Sequence, residues 1–202
     1  MRPSEKYGVF MRHAKKLTNS RVVKDHHRRD VLEGVKHFDD GRLAVTDGHR
    51  LYHLKDVDHG KGDNLITPSG RLIKKKGYPD VMRLMPDSTP DQEMYLAVKE
   101  LFIGADGSAL AGKVAGVTPS MTFKGNHLSF VSDQITFKHE LSKTFEGDEF
   151  YSNAQYWVDA LNLFKALGYD QVCLKTFGRV RPFLLGSLDR KLEVIILPIR
   201  RL

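Results

Sequence analysis

The chain predicts an α+β fold assembled from repeated strand-helix-strand units. Three observations carry this. A succession of strand, helix and several strands recurs about three times, at roughly 50 residues each, which marks a repeated supersecondary unit. At 202 residues, with 41% hydrophobic and 28% charged residues, the chain can bury a real core and is not a disordered tail. Short alternating apolar runs dominate it, interrupted by segments whose apolar residues fall at helical spacing.

From the N-terminus, FMRHAKKL (residues 10–17) starts a short helix and DVLEGVKHF (30–38) reads as extended. Asp39, Asp40 and Gly41 turn that segment into a β-hairpin with RLAVTDGHRLYHL (42–54), Gly41 supplying positive φ. The Gly- and Asp-rich loop DVDHGKGDN (56–64) leads to the short run LITPS and the basic RLIKKK (71–76). Pro79, Pro86 and Pro90 make GYPDVMRLMPDSTPDQ (77–92) an extended connector. The expected organisation is therefore a partial domain over 1–78, a connector over 79–91 and a complete domain over 92–202. In the latter, EMYLAV (93–98) is a strand, SALAGKVAG (108–116) a short helix, and SMTFKGNHLSFVSDQITFKHEL (120–141) strands around a turn at Gly125 and Asn126. EFY (149–151) is a strand. Asn153 can cap the helix AQYWVDALNLFKAL (154–167), whose Trp157, Leu161, Phe164 and Leu167 are helically spaced before Gly168. QVCLKTF, RPFLLGS and LEVIILPIRRL close the chain as strands.

Several classes are excluded at once. No apolar run reaches the ~20 residues of a membrane helix, and the N-terminus lacks the apolar stretch of a signal peptide, so the cytoplasm is expected and no membrane partner. The one cysteine, Cys173, can form no internal disulfide and sits in an apolar alternation, as a buried strand cysteine does. The net charge of +7 attracts polyanions, and its clusters RHAKK (12–16), KDHHRR (24–29) and RLIKKK (71–76) all fall in the first 76 residues. Nucleic acid is the leading partner class. No base-reading motif accompanies the charge, so recognition should be indifferent to sequence.

Two motifs invite other readings. GSALAGK (107–113) has phosphate-loop spacing, but Val114 stands where a Ser or Thr must hold magnesium, so a small-residue helix packed in a core is expected and no nucleotide. In DHHRR (25–29), His26 and His27 are adjacent and no third ligand is evident, which gives a basic loop and no metal site. No cofactor is implied. The stretch VTDGHRL (45–51) gathers Asp47, Gly48, His49 and Arg50. Read alone it is a structural turn, with Asp47 bonding backbone amides. Nothing completes a catalytic constellation, so no enzyme is expected.

VTDGHRL, the connector YPDVMRLMP (78–86), the helix entry YSNAQYWVDALNLFKAL (151–167) and the terminus VIILPIRRL (194–202) resemble, in that order, four landmarks of the bacterial sliding clamp, the β subunit of DNA polymerase III. The resemblance spans about residues 28–202 and is strongest over 28–86 and 150–202. It implies DNA-clamp-like repeated units, with helices facing double-stranded DNA in a central hole and sheets outside. It also implies an apolar pocket between two domains, which takes short peptides from DNA polymerase and other clamp-binding proteins. Carried over position by position, that pocket is Leu32, Thr46, Gly48, His49, Arg50 and Leu51, with Pro79, Arg83 and Leu84, and Ile195, Ile196, Leu197, Pro198, Ile199 and Arg200. Asp47 and His49 would then shape a binding site. Arg28 and Arg29 match a DNA-reaching segment, although Asp30 and Val31 replace the family's tyrosines; Arg12, Lys15 and Lys16 add non-specific attraction. At the terminus Leu197 and Ile199 stand where the family has methionines, and Arg201 is an added residue. The family closes a ring from such units, but this chain holds only about three. Two readings stay open: a DNA-encircling processivity factor acting as a homo-oligomer, and a reduced clamp-like adaptor or competitor that keeps the peptide pocket without a ring.

Overall fold

The computed structural model describes residues 2–20, 23–24, 30–75 and 77–199. Among them are three α-helices: α1 (Pro3–Thr18), α2 (Val98–Val114) and α3 (Ala154–Ala166). The strands are β1 (Val35–His37), β2 (Leu43–Thr46), β3 (Arg50–Leu54), β4 (Leu65–Ile66), β5 (Gln92–Ala97), β6 (Ser120–Val131), β7 (Thr136–Asn153), β8 (Gln171–Thr176), β9 (Phe183–Gly186) and β10 (Leu192–Ile196). Eight of them form one antiparallel sheet in the order β4-β1-β2-β3-β10-β9-β8-β5, and β6 and β7 form a second. The α+β expectation holds. The first sheet joins strands from both sides of the connector without a break, because β3 and β10 pair from Arg50 with Ile196 to Leu54 with Leu192.

The helices cover one side. In α1, Phe10, Ala14 and Leu17 recur at i, i+4 and i+7 and are fully buried on β2 and β3. In α3, the Asn153 side chain accepts the Gln155 amide at 2.9 Å and starts the helix. Trp157, Leu161 and Phe164 face the core, and Gly168 ends the helix at φ 85°. The helix α2 lies beside α3 and on β6 and β7. Its close approach needs small residues: a side chain at Gly107 would meet Phe137, and one at Gly112 would meet the Pro119 backbone 2.6 Å away. GSALAGK therefore lies within a packed helix, as its residue sizes suggest.

Several details differ from the sequence reading, among them the short helix expected over 108–116, which spans Val98–Val114 because β5 runs directly into it. The helix expected over 10–17 begins at Pro3, where a proline at the first turn costs no hydrogen bond and Glu5 accepts the Arg2 amide at 3.1 Å. Residues 30–33 form a 3-10 turn before β1, not a strand. Residues 42–54 are two strands, because Asp47–His49 form a second hairpin turn that alternating apolar residues conceal. The strand β6 passes straight through Gly125, which forms a bulge at φ 56°; the reversal comes at Ser132–Ile135, where the Ser132 hydroxyl oxygen accepts the Ile135 amide at 3.1 Å. Residues 25–29 of DHHRR, with Arg28 and Arg29, and residues 200–202, with Arg200, lie outside the described residues.

Candidate functional site

The β2–β3 turn is built by its own side chains. The Asp47 carboxylate accepts the amides of His49 and Arg50, both at 3.0 Å, and Thr46 Oγ1 accepts the Gly48 amide at 3.1 Å while donating to Arg50 O at 2.8 Å. Gly48 takes φ 89°, which other residues reach only with strain. These bonds occupy Asp47 with the backbone and leave Gly48 and His49 on the surface.

Arg50 turns the other way. Its Nε donates to Asp47 at 3.1 Å, Nη1 to Asp159 of α3 at 2.7 Å and Nη2 to the Lys16 carbonyl of α1 at 3.3 Å. Its guanidinium also lies 4.5 Å from the ring centre of Tyr156. Arg50, Asp47 and Asp159 are buried, so Arg50 ties the turn to two helices and its guanidinium turns away from the surface. Losing one partner of such a network leaves a buried charge uncompensated.

The C-terminal segment closes on this turn. Leu197 donates its amide to His49 O at 2.9 Å, and Ile199 donates to Tyr151 O at 2.8 Å. Leu197 is 38% exposed, Pro198 and Ile199 are half-buried, and the His49 ring stands 6.2 Å from Tyr156. The result is an apolar surface with a polar imidazole at its side. Beneath it, Leu51 pairs with Ile195 and is buried with Ala44 and Val81, while Ile196 faces the main core.

The other expected residues are distributed around this junction. In the connector, Val81 anchors a 3-10 turn against Leu51 and Ile195, while Leu84 and Arg83 point outward, Arg83 pairing with Asp80 at 3.0 Å. Pro79 lines a separate 660 Å³ groove with Lys36, Phe38, Ile73 and Tyr78. Leu32 belongs to another apolar cluster with Val31 and Leu65, joined to the first through Tyr78. Sequence reasoning passed over Tyr156 and Tyr151. Tyr156 had a signal: it precedes the core residue Trp157, and one helical step of ~100° turns it to the flank of α3.

On the helical side, Arg12, Lys15 and Lys16 are exposed along α1. His13, Lys16, Asn162 and Lys165 line a 480 Å³ cleft between α1 and α3, with Asp159 at its base 3.8 Å from Lys16. Elsewhere, burial pushes the Cys173 thiol up to about 11, which makes it a poor nucleophile. Among the described residues, no three His, Cys, Asp or Glu side chains group as metal ligands, and no helix is long and apolar enough to cross a membrane.

No protein-family model matches the chain. It is 26% identical to the β sliding clamp of Staphylococcus aureus over 87% of its own length and 52% of the relative's, so it spans about half of that protein. Among solved structures, it resembles the β subunit from DNA polymerase of Streptococcus pyogenes with a TM-score of 0.74 at 16% identity, covering 97% of this chain and 64% of that one. The Helicobacter pylori β clamp bound to a DNA ligase peptide matches with a TM-score of 0.72 at 16% identity, covering 98% and 64%. The chain thus shares its fold with bacterial β sliding clamps and is similar in sequence to about half of one of them.

Proposed function

We propose that the chain is a clamp-like DNA replication protein that binds short partner peptides at the β3–β10 junction and double-stranded DNA along its helices, acting by binding rather than catalysis. In this reading residues 1–78 are a partial clamp-like domain and 92–202 a complete one, joined by the connector. The observation that carries it is the meeting of the His49 turn with Leu197–Ile199, held by the 2.9 Å bond between Leu197 N and His49 O. A peptide's apolar anchor set against Leu197, Pro198 and Tyr156 would contribute about 1.5 to 3 kcal/mol by burial, with His49 fixing register. The Helicobacter pylori clamp structure, with its DNA ligase peptide, supports the peptide reading by likeness.

The test uses a short peptide carrying Gln followed by Leu and Phe. Micromolar binding is expected, or about −8 kcal/mol, which suits two or three anchors less the cost of ordering the peptide. Leu197→Asp sets a charge against the anchor on a 38% exposed side chain, so the fold should persist while binding falls at least tenfold. A variant with the parent's thermal transition and the parent's affinity would defeat the reading. The second reading is a reduced clamp-like adaptor or competitor that binds such peptides without encircling DNA. Peptide binding without DNA binding at low salt would select it.

A further inference from the structure

Building on the peptide reading above, we infer that residues 77–90 are a displaceable strap, in which Val81 plugs the place that a peptide's second apolar anchor takes and lifts before that anchor seats. The apolar wall comes first. Ile195 packs toward the connector and Ile196 toward the main core. Alternation carries Leu197 to the side of Ile195, and the bond from its amide to His49 O continues the ladder. Leu51 pairs with Ile195, so Leu197, Ile195 and Leu51 form one apolar strip. Its two ends differ in access. Leu197 is 38% exposed, whereas Ile195 and Leu51 are 3% and 1% exposed beneath Val81. A peptide with Leu and Phe brings two anchors, and the open end beside Pro198 receives one. The next stretch of the same strip is the one that Val81 covers.

The strap is thinly held. Val81 is the one buried residue of 77–90, all of which are described. Leu84 points outward at 51% exposure, and Arg83 pairs locally with Asp80. Pro79, Pro86 and Pro90 have no N–H to give a ladder. The backbone bonds within the segment, Arg83 N to Asp80 O and Met85 N to Met82 O, are internal to its 3-10 turn. Besides Val81, the ties to the rest of the fold are the Tyr78 hydroxyl, which donates to Ala44 O at 3.3 Å, half-buried Met85, and a 3.4 Å bond from Arg181 to the Ser88 hydroxyl. Segments with so few buried contacts open at low cost.

The strap also has somewhere to go. Tyr78, Pro79 and Val81 form one wall of the 660 Å³ groove, facing Phe38 and Ile73, so they can shift without entering a packed core. A site that is open part of the time binds more weakly in proportion to its open fraction. Residues 77–90 therefore act as an internal competitor of the peptide, and loosening them should tighten binding.

Titration of the full chain with the peptide carrying Gln, Leu and Phe tests this by a gain of affinity, which damage to the fold does not produce. Val81→Ala shortens the plug and Tyr78→Phe removes the tie to Ala44. Each should bind roughly threefold or more tighter than the parent by raising the open fraction. Binding that appears only in the variants supports the strap as well. A parent that binds while Val81→Ala binds no tighter overturns the strap and leaves the peptide reading standing; no binding by any of the three overturns both. Should Val81→Ala not fold, Val81→Cys in a Cys173→Ser background keeps a side chain close to valine in size and reports the movement directly. Its thiol should react with iodoacetamide roughly tenfold faster in excess peptide, as a covered segment lifts. A rate that the bound peptide leaves unchanged or slows overturns the strap.

Discussion

His37 shows how one buried ring can set the acid limit of the fold. It is fully buried on β1, and its Nδ1 lies 3.0 Å from Val35 O. A carbonyl only accepts, so Nδ1 carries the proton and Nε2 accepts the Tyr7 hydroxyl of α1 at 3.2 Å. Protonating Nε2 would break that tie and charge a buried ring that faces His59 at 5.0 Å. Burial holds the His37 pKa down to about 4, below its ordinary 6.5. The sign follows: the unfolded chain takes up the proton first, so this contribution is complete above pH 6.5 and is lost as pH falls toward 4. His13, whose pKa burial also lowers, adds in the same direction. Denaturant titrations between pH 7 and 4.5, above the range where most carboxylates protonate, should show falling stability, and His37→Phe should flatten the fall. An equal slope in the variant would assign the loss to other groups.

The helix α2 poses the opposite problem, because its glycines are poor helix formers yet sit mid-helix. Gly112 explains itself by proximity: a Cβ there would lie 2.6 Å from the Cα and Cβ of Pro119, part of a backbone that cannot swing aside. Alanine gains about 1 kcal/mol of helix propensity, but overpacking of this kind costs about 1 to 3 kcal/mol. Gly112→Ala should therefore lower the denaturation midpoint without changing the slope, and a raised midpoint would show that the Pro119 turn yields. The same residues explain what was legible from sequence. GSALAGK could be assigned to a packed helix because small residues and a missing Ser or Thr are local facts. The start of α2 at Val98 could not, since β5 runs into the helix with no side-chain cap to mark the change. The turn at Asp47–His49 was hidden by apolar residues continuing through both strands, while the Gly41 turn carried its own Asp-Asp-Gly signal. At the site, the turn and the terminus could be brought together only by resemblance, because their contact spans 148 positions and rests on a backbone bond between His49 and Leu197. The inward aim of Arg50 depended on Asp159, a carboxylate that no local pattern links to it.

Across the whole molecule, charge is divided unevenly. Residues 1–76 hold 18 Lys and Arg against 10 Asp and Glu, whereas 77–202 hold 14 against 15. The long-range pull on a polyanion thus comes from the N-terminal unit, and α1 presents part of it through Arg12, Lys15 and Lys16 on the helical side. Lys16 is only loosely held by Asp159 at 3.8 Å and stays 64% exposed, so a phosphate can compete for it. Binding of this kind releases counterions, and each neutralised phosphate contributes about 0.9 to the slope of log affinity against log salt. Fluorescence anisotropy with unrelated duplexes should therefore give equal affinities and a steep common slope. Replacing Arg12, Lys15 and Lys16 by alanine should lower that slope by about 2 to 3 on every duplex if all three meet phosphates. Because these side chains are exposed, the thermal transition should barely move. A folded triple variant with an unchanged slope would remove α1 from the DNA-facing surface and leave the charge to Arg28, Arg29 and their neighbours, whose replacement is then the decisive measurement.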